Sequence, residues 1–461
     1  MKYYENVLDL IGRTPLVRLN RIIEPGSATV LAKMEHMNPG GSVKDRMAYN
    51  MVRRAEEQGL LEPGSTLVES TSGNTGLGLA MVAAVRGYRC IFTIPDKMSK
   101  EKIDMLKAYG AEVVVTRTDL EHDHPESYVE VAKRIARTTP GGFYTDQYYN
   151  MSNPEAHYLT TGPEIWEDTE GRIDVLVGGL GTGGTISGAG RYLRERAAEA
   201  GRELRIVCPD PEGSIYRDMF YSGGHGPTRI YRVEGIGHDF MVGTLDFSVI
   251  DEVRNVSDKR SFLTARRLAR EEGIFCGGST GTAVCGALDV AKELGPGKTV
   301  VVILCDSGDR YLSKCFADDW MKDMGYLDVE ARIGTVRDLL RFKGHTVEFA
   351  EPRETVSDVA RRMSDLGISQ MPVRPDSAAG PERYMIHELD ILQALVNGEL
   401  SPKDPVSRAC KPLQGQVVPG DPISKVETIL NADNVAVVVE GEEISGIISK
   451  IDVIQYLSSR A

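Results

Sequence analysis

Lys44 and three polar, glycine-rich loops are the residues whose types and spacing suggest chemistry. Lys44 lies in Asn-Pro-Gly-Gly-Ser-Val-Lys-Asp-Arg, residues 38–46, where a glycine-rich loop is expected to turn into a helix. Two further loops follow at residues 71–76 and 181–185. An amine can form a Schiff base with an aldehyde, and loops of this kind bind anions. One amine and two anion-binding loops in this order predict a pyridoxal-phosphate (PLP) enzyme acting on an amino acid.

The loop at residues 181–185, Gly-Thr-Gly-Gly-Thr, is predicted to bind the cofactor phosphate. It follows an apolar strand at residues 174–179 and opens a helix at 186–198. Backbone N–H groups and the positive end of the helix would point at one anion, and Thr182 and Thr185 can add hydroxyl donors. A dinucleotide site is the weaker alternative, because the spacing is not Gly-x-Gly-x-x-Gly after a first strand.

The loop at residues 71–76, Thr-Ser-Gly-Asn-Thr-Gly, also lies between a predicted strand and a predicted helix. Two anion-binding loops suggest two anions, the cofactor phosphate and a substrate carboxylate. Asn74 is expected to hydrogen-bond the phenolic oxygen of PLP. The residues expected to receive the carboxylate are Thr71, Ser72 and Thr75. A simple helix cap is the alternative.

Ser279 lies in a third strand-to-helix loop, at residues 276–282. A serine hydroxyl facing the pyridine nitrogen would leave the ring neutral and a weaker electron sink. A carbanion at the substrate Cα would then expel a β-substituent, which favours β-elimination and replacement over transamination. This step depends on Ser279 being the partner of the ring nitrogen.

Up to about residue 318, short apolar runs alternate with amphipathic stretches, which predicts an α/β domain of two lobes with largely parallel sheets. The predicted strands are 66–69, 90–94, 112–115, 175–177, 205–208 and 299–304, and the predicted helices are 77–86, 100–109, 186–198 and 261–272. The loops named above fall between a strand and a helix, where open α/β sheets bind ligands.

From residue 336 onward the chain contains a repeat of about 60 residues, in which helix, strand, strand and helix recur. The predicted organisation is a catalytic domain at residues 1–318, a linker at 319–335, and two repeat domains at 336–398 and 399–461. Residues 375–381 are expected to form an exposed loop in the first repeat. The alternative is that this tail only drives oligomerisation.

The composition excludes several classes of protein. The net charge of −13 disfavours nucleic acid and acidic membranes as partners. The seven cysteines have no Cys-x-x-Cys or zinc-ligand spacing, so we expect reduced thiols and no metal site. No segment approaches the roughly 20 apolar residues of a membrane span, and the N-terminus has no apolar stretch of signal-peptide length. We therefore expect a soluble, cytoplasmic protein.

Together these motifs resemble the cysteine synthase/cystathionine β-synthase family of tryptophan-synthase-β-like, fold-type II PLP enzymes. The resemblance runs from residue 6 to about 318, and the tail resembles the tandem CBS-domain (Bateman) module. The motifs that carry it are residues 14–17, 38–46, 71–76, 146–148, 181–185, 235–237 and 277–279.

The resemblance implies a PLP-dependent β-replacement with Lys44 as the Schiff-base residue and proton-transfer group. L-Serine would lose its hydroxyl group and L-homocysteine would add at Cβ, which gives L-cystathionine and water. The residues implied to bind PLP are Lys44, Asn74, Gly181, Thr182, Gly183, Gly184, Thr185 and Ser279. Those implied to line the amino-acid pocket are Gln147, Tyr148 and Gly237. A homodimer or tetramer is also implied.

Competing interpretations stay open. One is an O-acetylserine sulfhydrylase that makes L-cysteine, or a hydrogen-sulfide-producing side activity. Another is a nucleotide-sensing module whose PLP domain has lost its activity. The catalytic pattern starts within the first few residues, so no haem is expected. His238 stands where some relatives have tyrosine, and it is either a pocket residue or a solvated loop histidine.

The tail implies an adenosyl effector, S-adenosylmethionine, bound at Ser449 and Asp452. In the module that the tail resembles, such an aspartate accepts hydrogen bonds from a ribose. In the first repeat His387 replaces the expected Ser or Thr ahead of Asp390, so that half-site departs from the pattern. ATP, AMP and an empty structural pair are the alternatives.

Overall fold

The computed structural model describes residues 1–461 except 2, 72, 97, 119, 121–123, 328–333, 345–346, 375–382, 414, 432–434, 442 and 460–461. The chain forms two compact units, Met1–Leu327 and Asp328–Ala461. The predicted exposed loop at 375–381, most of the linker's second half and the predicted substrate residue Ser72 lie outside the described residues.

The first unit contains a six-stranded and a four-stranded sheet. The strands are β1 (Leu16–Arg18), β2 (Thr29–Lys33), β3 (Thr66–Ser70), β4 (Arg89–Pro95), β5 (Glu112–Thr116), β6 (Gly142–Tyr144), β7 (Val175–Val177), β8 (Arg205–Pro211), β9 (Glu252–Val256) and β10 (Thr299–Ile303). The larger sheet has the order β1-β2-β10-β7-β8-β9 and the smaller one β5-β4-β3-β6. Only β1 runs antiparallel to its neighbour among these strands. The prediction of largely parallel sheets is confirmed.

Helices connect these strands and cover the sheets. They are α1 (Lys44–Glu57), α2 (Asn74–Arg86), α3 (Lys100–Ala108), α4 (Tyr128–Thr138), α5 (Ser152–Leu159), α6 (Thr161–Asp168), α7 (Gly184–Glu199), α8 (Tyr216–Ser222), α9 (Asp258–Arg267), α10 (Gly278–Leu294) and α11 (Asp318–Asp323). The predicted helix 261–272 is α9 followed by a π-helical turn at Leu268–Glu272. In the described residues, no helix is long and apolar enough to cross a membrane.

The alternation of side chains along β10 explains why this central strand is apolar throughout. Val300 and Val302 pack on one face of the sheet with residues of α10 such as Ala287. Val301 and Ile303 pack on the opposite face, against α7. A strand with both faces covered by helices has no solvent-facing position, so it appears in the sequence as a continuous hydrophobic run.

Strand β2 is absent from the predicted strands because its sequence, Thr-Val-Leu-Ala-Lys, is short and ends in a charged residue. Lys33 is nevertheless fully buried, and its ammonium group lies 3.0 Å from Glu164 and 3.1 Å from Asp168. Buried lysines need such partners, and those partners come from a distant helix.

The second unit contains the repeated order of elements. They are α12 (Val336–Lys343), α13 (Val356–Leu366), β11 (Gln370–Val373), β12 (Tyr384–His387), α14 (Glu388–Val396), β13 (Lys411–Pro412), β14 (Gln416–Val417), α15 (Ile423–Asn431), β15 (Ala436–Glu440), β16 (Glu443–Ile448) and α16 (Lys450–Ser458). Helix, strand, strand and helix run from α13 to α14 and again from α15 to α16, so the internal repetition of elements is confirmed.

Each half of the second unit has its own core. Leu339 of α12 packs with the second half, beside Val426 and Val438. Val406 packs with the first half, beside Val359. Helix α12 therefore precedes the first half in sequence and packs with the second in space. The domain limits given above stay a prediction.

Candidate active site

Lys44 and the loop at residues 181–185 face the same cleft. Lys44 is the first residue of α1 and is half-buried. The cleft is lined by Lys44, Gly178, Gly179, Gly181, Thr182, Gly183, Thr185, Ile186, Gly235, Ile236, Ile303 and Cys305. The predicted amine and the predicted phosphate loop are thus brought together, although they are far apart in the sequence.

Arg310 holds the loop that precedes Lys44. Its guanidinium group donates to the carbonyl oxygens of Gly40 and Gly41, the latter at 2.6 Å, and the side chain is fully buried. Gly41 has a φ of 77°, and a Cβ there would lie 2.7 Å from the Arg310 guanidinium. Asp45 closes the same turn by accepting from the Gly40 N–H at 2.6 Å. Burial raises the pKa of Asp45 to about 7.

The loop at 181–185 is fixed by close backbone contacts. The Tyr216 hydroxyl donates to the Gly181 carbonyl at 2.8 Å, and the Gly237 N–H donates to the Leu180 carbonyl at 2.6 Å. A Cβ at Gly181 would lie 2.5 Å from the Gly235 carbonyl oxygen. Gly184 begins α7, so the first amides of that helix are directed at the loop. Backbone amides at a helix N-terminus can bind a phosphate.

Three of the predicted substrate-binding residues meet beside the β3–α2 turn. The Thr75 hydroxyl donates to Gln147 Oε1 at 2.6 Å, and Gln147 Nε2 donates to the Ser70 carbonyl at 2.6 Å. Thr71 Oγ1 accepts from the N–H groups of Gly73 and Gly76. The hydroxyls of Thr71 and Thr75 and the Gln147 amide therefore form one polar group at the N-terminus of α2.

Tyr148 is buried, and its hydroxyl pairs with that of Tyr128 at 3.0 Å. The half-buried ring of His238 packs edge-on against Tyr148, with ring centroids 5.1 Å apart. His238 is therefore part of an aromatic cluster beside Gly237. A Cβ at Gly237, where φ is 76°, would lie 2.8 Å from the Tyr231 hydroxyl.

Asp306 connects the segments that carry Lys44, Asn74 and Ser279. Its carboxylate accepts from Asn74 Nδ2 at 2.7 Å and from the Tyr311 hydroxyl at 2.5 Å. Its backbone carbonyl accepts from the Gly277 N–H, and residue 306 forms a β-bridge with Ser42. Ser279 is buried in the first turn of α10, just after Gly277. Asn74 and Ser279 thus lie next to the cleft without being among its lining residues.

Asp306 and Arg310 are absent from the residues predicted above. The signal for Asp306 is its place just after the apolar run 299–304, where the carboxyl end of a parallel strand meets the ligand-binding edge of the sheet. Arg310 has no comparable local signal, because its partners, Gly40 and Gly41, are distant in sequence.

The arrangement fits PLP. Asn74 Oδ1 is buried and has no hydrogen-bond partner among the described residues, as expected for a side chain that faces a missing polar group. The glycines at 181 and 184 let other protein groups approach the loop closely, because a Cβ there would lie 2.5 Å from the Gly235 carbonyl oxygen and 2.0 Å from Asn153 Oδ1, respectively. The 181–185 loop and the half-buried lysine amine therefore share the cleft, and Asn74, whose amide nitrogen is paired with Asp306 while its oxygen has no partner among the described residues, lies next to it.

Asp210 gives a testable pH dependence. It is fully buried at the end of β8, and burial raises its pKa from 3.8 to about 7. Between about pH 4 and pH 7 the unfolded chain loses this proton while the folded chain keeps it, so the free energy of unfolding falls as pH rises, by up to about 1.4 kcal/mol per pH unit.

The variant Asp210→Asn lacks this titration. We expect its stability relative to the parent to increase from about pH 4 to pH 7. The measurement is urea unfolding followed by tryptophan fluorescence, because both tryptophans, Trp166 and Trp320, lie in the first unit. A difference that is constant with pH would contradict the prediction.

In the second unit, Ser449 and Asp452 stand at the start of α16. Asp452 accepts from the Ser449 hydroxyl at 2.6 Å and from the Lys343 ammonium group. In the first half, Asp390 accepts from Lys411, and His387 makes no side-chain cap at the start of α14. Both aspartates are therefore paired with a lysine.

Comparison with known proteins identifies the family. Residues 7–306 match the family model described as "Pyridoxal-phosphate dependent enzyme". Cystathionine β-synthase of Dictyostelium discoideum is 38% identical over 98% of this chain and 92% of its own. Cysteine synthase of Staphylococcus aureus is 42% identical over 68% of this chain and 96% of its own. The crystal structure of O-ureido-L-serine synthase has 39% identity and a TM-score of 0.63, and the match covers 70% of this chain and all of that one. The chain belongs to the fold-type II pyridoxal-phosphate-dependent enzymes and, among them, to the cystathionine β-synthase family.

Proposed function

We propose that the chain catalyses a PLP-dependent β-replacement that condenses L-serine with L-homocysteine to L-cystathionine and water. The observation that carries this proposal is the extent of the match to a cystathionine β-synthase, which covers 98% of this chain and includes the second unit. The match to a cysteine synthase covers only 68%. The cleft that contains Lys44 supports the same chemistry.

The bound cofactor would supply an electron sink that stabilises negative charge at the substrate Cα. Lys44 would hold its aldehyde covalently and afterwards move the proton at Cα. Residues 181–185 would bind its phosphate, Asn74 its phenolic oxygen and Ser279 its ring nitrogen. A neutral serine hydroxyl at that nitrogen would favour loss of the β-substituent over transamination.

The hydroxyls of Thr71 and Thr75 and the Gln147 amide would bind the substrate carboxylate at the N-terminus of α2, where the helix dipole favours an anion. Gly237 and the aromatic cluster of Tyr148 and His238 would line the amino-acid pocket. The threonine hydroxyls and the Gln147 amide are uncharged, so they can orient a carboxylate without neutralising Lys44.

A change at Thr75 tests this role. The variant Thr75→Val lacks the hydroxyl that donates to Gln147 in this structure and that would turn to donate to the carboxylate when substrate binds. We expect the KM for L-serine to rise by about 10-fold, the effect of one lost hydrogen bond to a charged group. Thr75→Ser keeps the hydroxyl and is the matched control, with a KM close to that of the parent. Equal KM values for both variants would contradict the assignment.

The direct test of the reaction is a product assay with two substrate pairs. L-Serine plus L-homocysteine should give L-cystathionine faster than O-acetylserine plus sulfide gives L-cysteine. The cysteine-synthase activity is the second candidate, and the S. aureus relative favours it. If only O-acetylserine and sulfide react, cysteine synthesis replaces cystathionine synthesis as the function.

For the second unit we propose a tandem CBS-domain module that binds S-adenosylmethionine at Ser449 and Asp452. In sequence it has a linker at residues 319–335 and domains at 336–398 and 399–461, while in space α12 packs with the second half and Val406 with the first. The repeated elements and the acidic residue at the start of α16 support it. Calorimetry on the intact chain should show binding that is lost in Asp452→Asn and kept in Asp390→Asn. If calorimetry detected no binding of S-adenosylmethionine to the parent chain, the assignment of Ser449 and Asp452 as its site would be wrong.

A homodimer or tetramer in the cytoplasm fits this function. The cysteines, all within the described residues, are free thiols, as expected in a reducing compartment.

A further inference from the structure

Helix α5 presents two fully buried polar side chains, Asn153 and His157, to the loop at residues 181–185. They are four residues apart, so they lie on one face of the helix, one turn from each other. Neither belongs to a sequence motif described above. Each contacts a different threonine of the loop.

The close approach of α5 depends on two glycines of α7, which are also four residues apart. A Cβ at Gly184 would lie 2.0 Å from Asn153 Oδ1, and one at Gly188 would lie 2.0 Å from the Pro154 carbonyl oxygen. Real atoms do not approach so closely, so a side chain at either position would push α5 away from the loop. The glycines allow α5 to place side chains directly behind the loop.

The contacts of the two side chains are specific. Asn153 Nδ2 donates to Thr182 Oγ1 at 3.0 Å and to the Gln147 carbonyl at 2.9 Å. The His157 ring bridges two hydroxyls, with Nε2 3.2 Å from Thr185 Oγ1 and Nδ1 2.9 Å from Thr161 Oγ1. Both ring nitrogens are therefore engaged.

His157 is uncharged in this position. Burial, followed by the positive charge of Arg46, lowers the pKa of its imidazole to about 3. A neutral imidazole carries one N–H, so one of its nitrogens donates and the other accepts. Which nitrogen carries the proton decides the direction of the Thr185 hydroxyl.

We propose that Asn153 and His157 are positioning residues that turn the hydroxyls of Thr182 and Thr185 toward a phosphate dianion, with the proton of His157 on Nε2. This inference rests on the proposed function, in which residues 181–185 bind the cofactor phosphate. In this role α5 orients the loop hydroxyls as donors, which favours binding of a fully ionised phosphate monoester.

The argument is one of hydrogen-bond direction. The Asn153 amide nitrogen can only donate, so it occupies a lone pair of Thr182 and leaves the hydroxyl proton for another acceptor. With its proton on Nε2, His157 does the same for Thr185, and Thr161 donates to Nδ1. With the proton on Nδ1, Thr185 would donate to His157 and turn a lone pair toward the anion, which is repulsive.

The test is the protonation state of the ring in the PLP-loaded enzyme. Long-range proton–nitrogen NMR on histidine-labelled protein distinguishes the two nitrogens, and the variant His157→Gln identifies the signal among the eight histidines. We expect a protonated Nε2 and an unprotonated Nδ1 between about pH 6 and pH 8. A proton on Nδ1, or on both nitrogens, would overturn the proposal.

Cofactor release provides a second readout. His157→Leu and Thr185→Val should each accelerate loss of PLP by about 10- to 100-fold, as expected for one hydrogen bond to a charged group. The double variant should lose PLP no faster than the single ones, because both changes remove the same interaction. His157→Gln can keep a donor and should release PLP within about 3-fold of the parent rate. Tyr158→Phe, next to His157 but bonded to Glu195, is the control on the same helix and should match the parent.

Fully additive effects in the double variant would mean that His157 acts only through general packing, and the proposal would be wrong. If the parent chain bound no PLP at all, the proposed function itself would fail. A PLP-loaded parent with its His157 proton on Nδ1 would refute only the positioning role.

Discussion

The variant Lys44→Ala is expected to lose the visible absorbance of the bound cofactor and to form product about 10²- to 10⁴-fold more slowly than the parent. Lys44 is the lysine among the residues that line the cleft with the 181–185 loop. Its removal takes away both the covalent attachment and the group that moves the Cα proton. The measurement is an absorbance spectrum together with a cystathionine assay.

Lys100→Ala is the matched control. Lys100 is also the first residue of a helix, α3, but its side chain is 86% exposed and pairs with Asp104 on the surface. We expect its spectrum and activity to equal those of the parent. Normal turnover in Lys44→Ala would contradict the proposed mechanism, whatever the control shows.

The variant Arg46→Met is expected to lower the free energy of unfolding of the first unit by about 3–5 kcal/mol, the typical cost of leaving a buried charge unpaired. Arg46 is almost fully buried, and its guanidinium group donates to Glu35 at 2.7 Å and to Glu164 at 2.6 Å. Glu35 is itself fully buried, and although burial opposes its ionisation, the neighbouring Arg46 lowers its pKa to about 2. Without Arg46, this carboxylate would lose its main partner.

Urea unfolding followed by tryptophan fluorescence measures this loss in the first unit. Arg53→Met is the control on the same helix, because Arg53 is 34% exposed and pairs with Glu57 along the surface. A pair of that kind contributes about 0–1 kcal/mol. If both variants lost the same small amount, Arg46 would not stabilise the site as described.

The buried ion pairs of Arg46 with Glu35 and Glu164, here called the Arg46 network, also position the loop that carries Lys44. Arg46 lies two residues after Lys44 on α1, and Glu35 accepts from Asn38 Nδ2 at 2.9 Å. The network therefore fixes both ends of the loop that carries the amine. Stability and site geometry depend on the same buried charges.

Much of the site could be predicted from sequence because its chemistry is concentrated in short loops. Lys44, Thr75 and Thr185 all lie in glycine-rich turns beside apolar runs, and the structure places them in the first turns of α1, α2 and α7. Glycine at these positions allows backbone conformations and close approaches that other residues cannot adopt, so the local sequence predicts where the loops lie.

The supporting residues could not be predicted in this way. His157 and Arg310 act on loops that are distant in the chain, so their roles depend on how helices and strands pack. Strand β2 was missed for the same reason. A lysine at the end of a short segment suggests a surface position, and Lys33 is buried only because Glu164, which is distant in the chain, pairs with it. In the tail, α12 precedes the first half and packs with the second, which periodicity alone does not reveal.

Borohydride reduction followed by peptide mapping tests the central claim most directly. Reduction would fix the cofactor irreversibly to the amine that holds it. The account predicts one labelled peptide, containing Lys44, from the first turn of α1. A label on any other side chain, or no label in enzyme that had been incubated with pyridoxal phosphate, would contradict it.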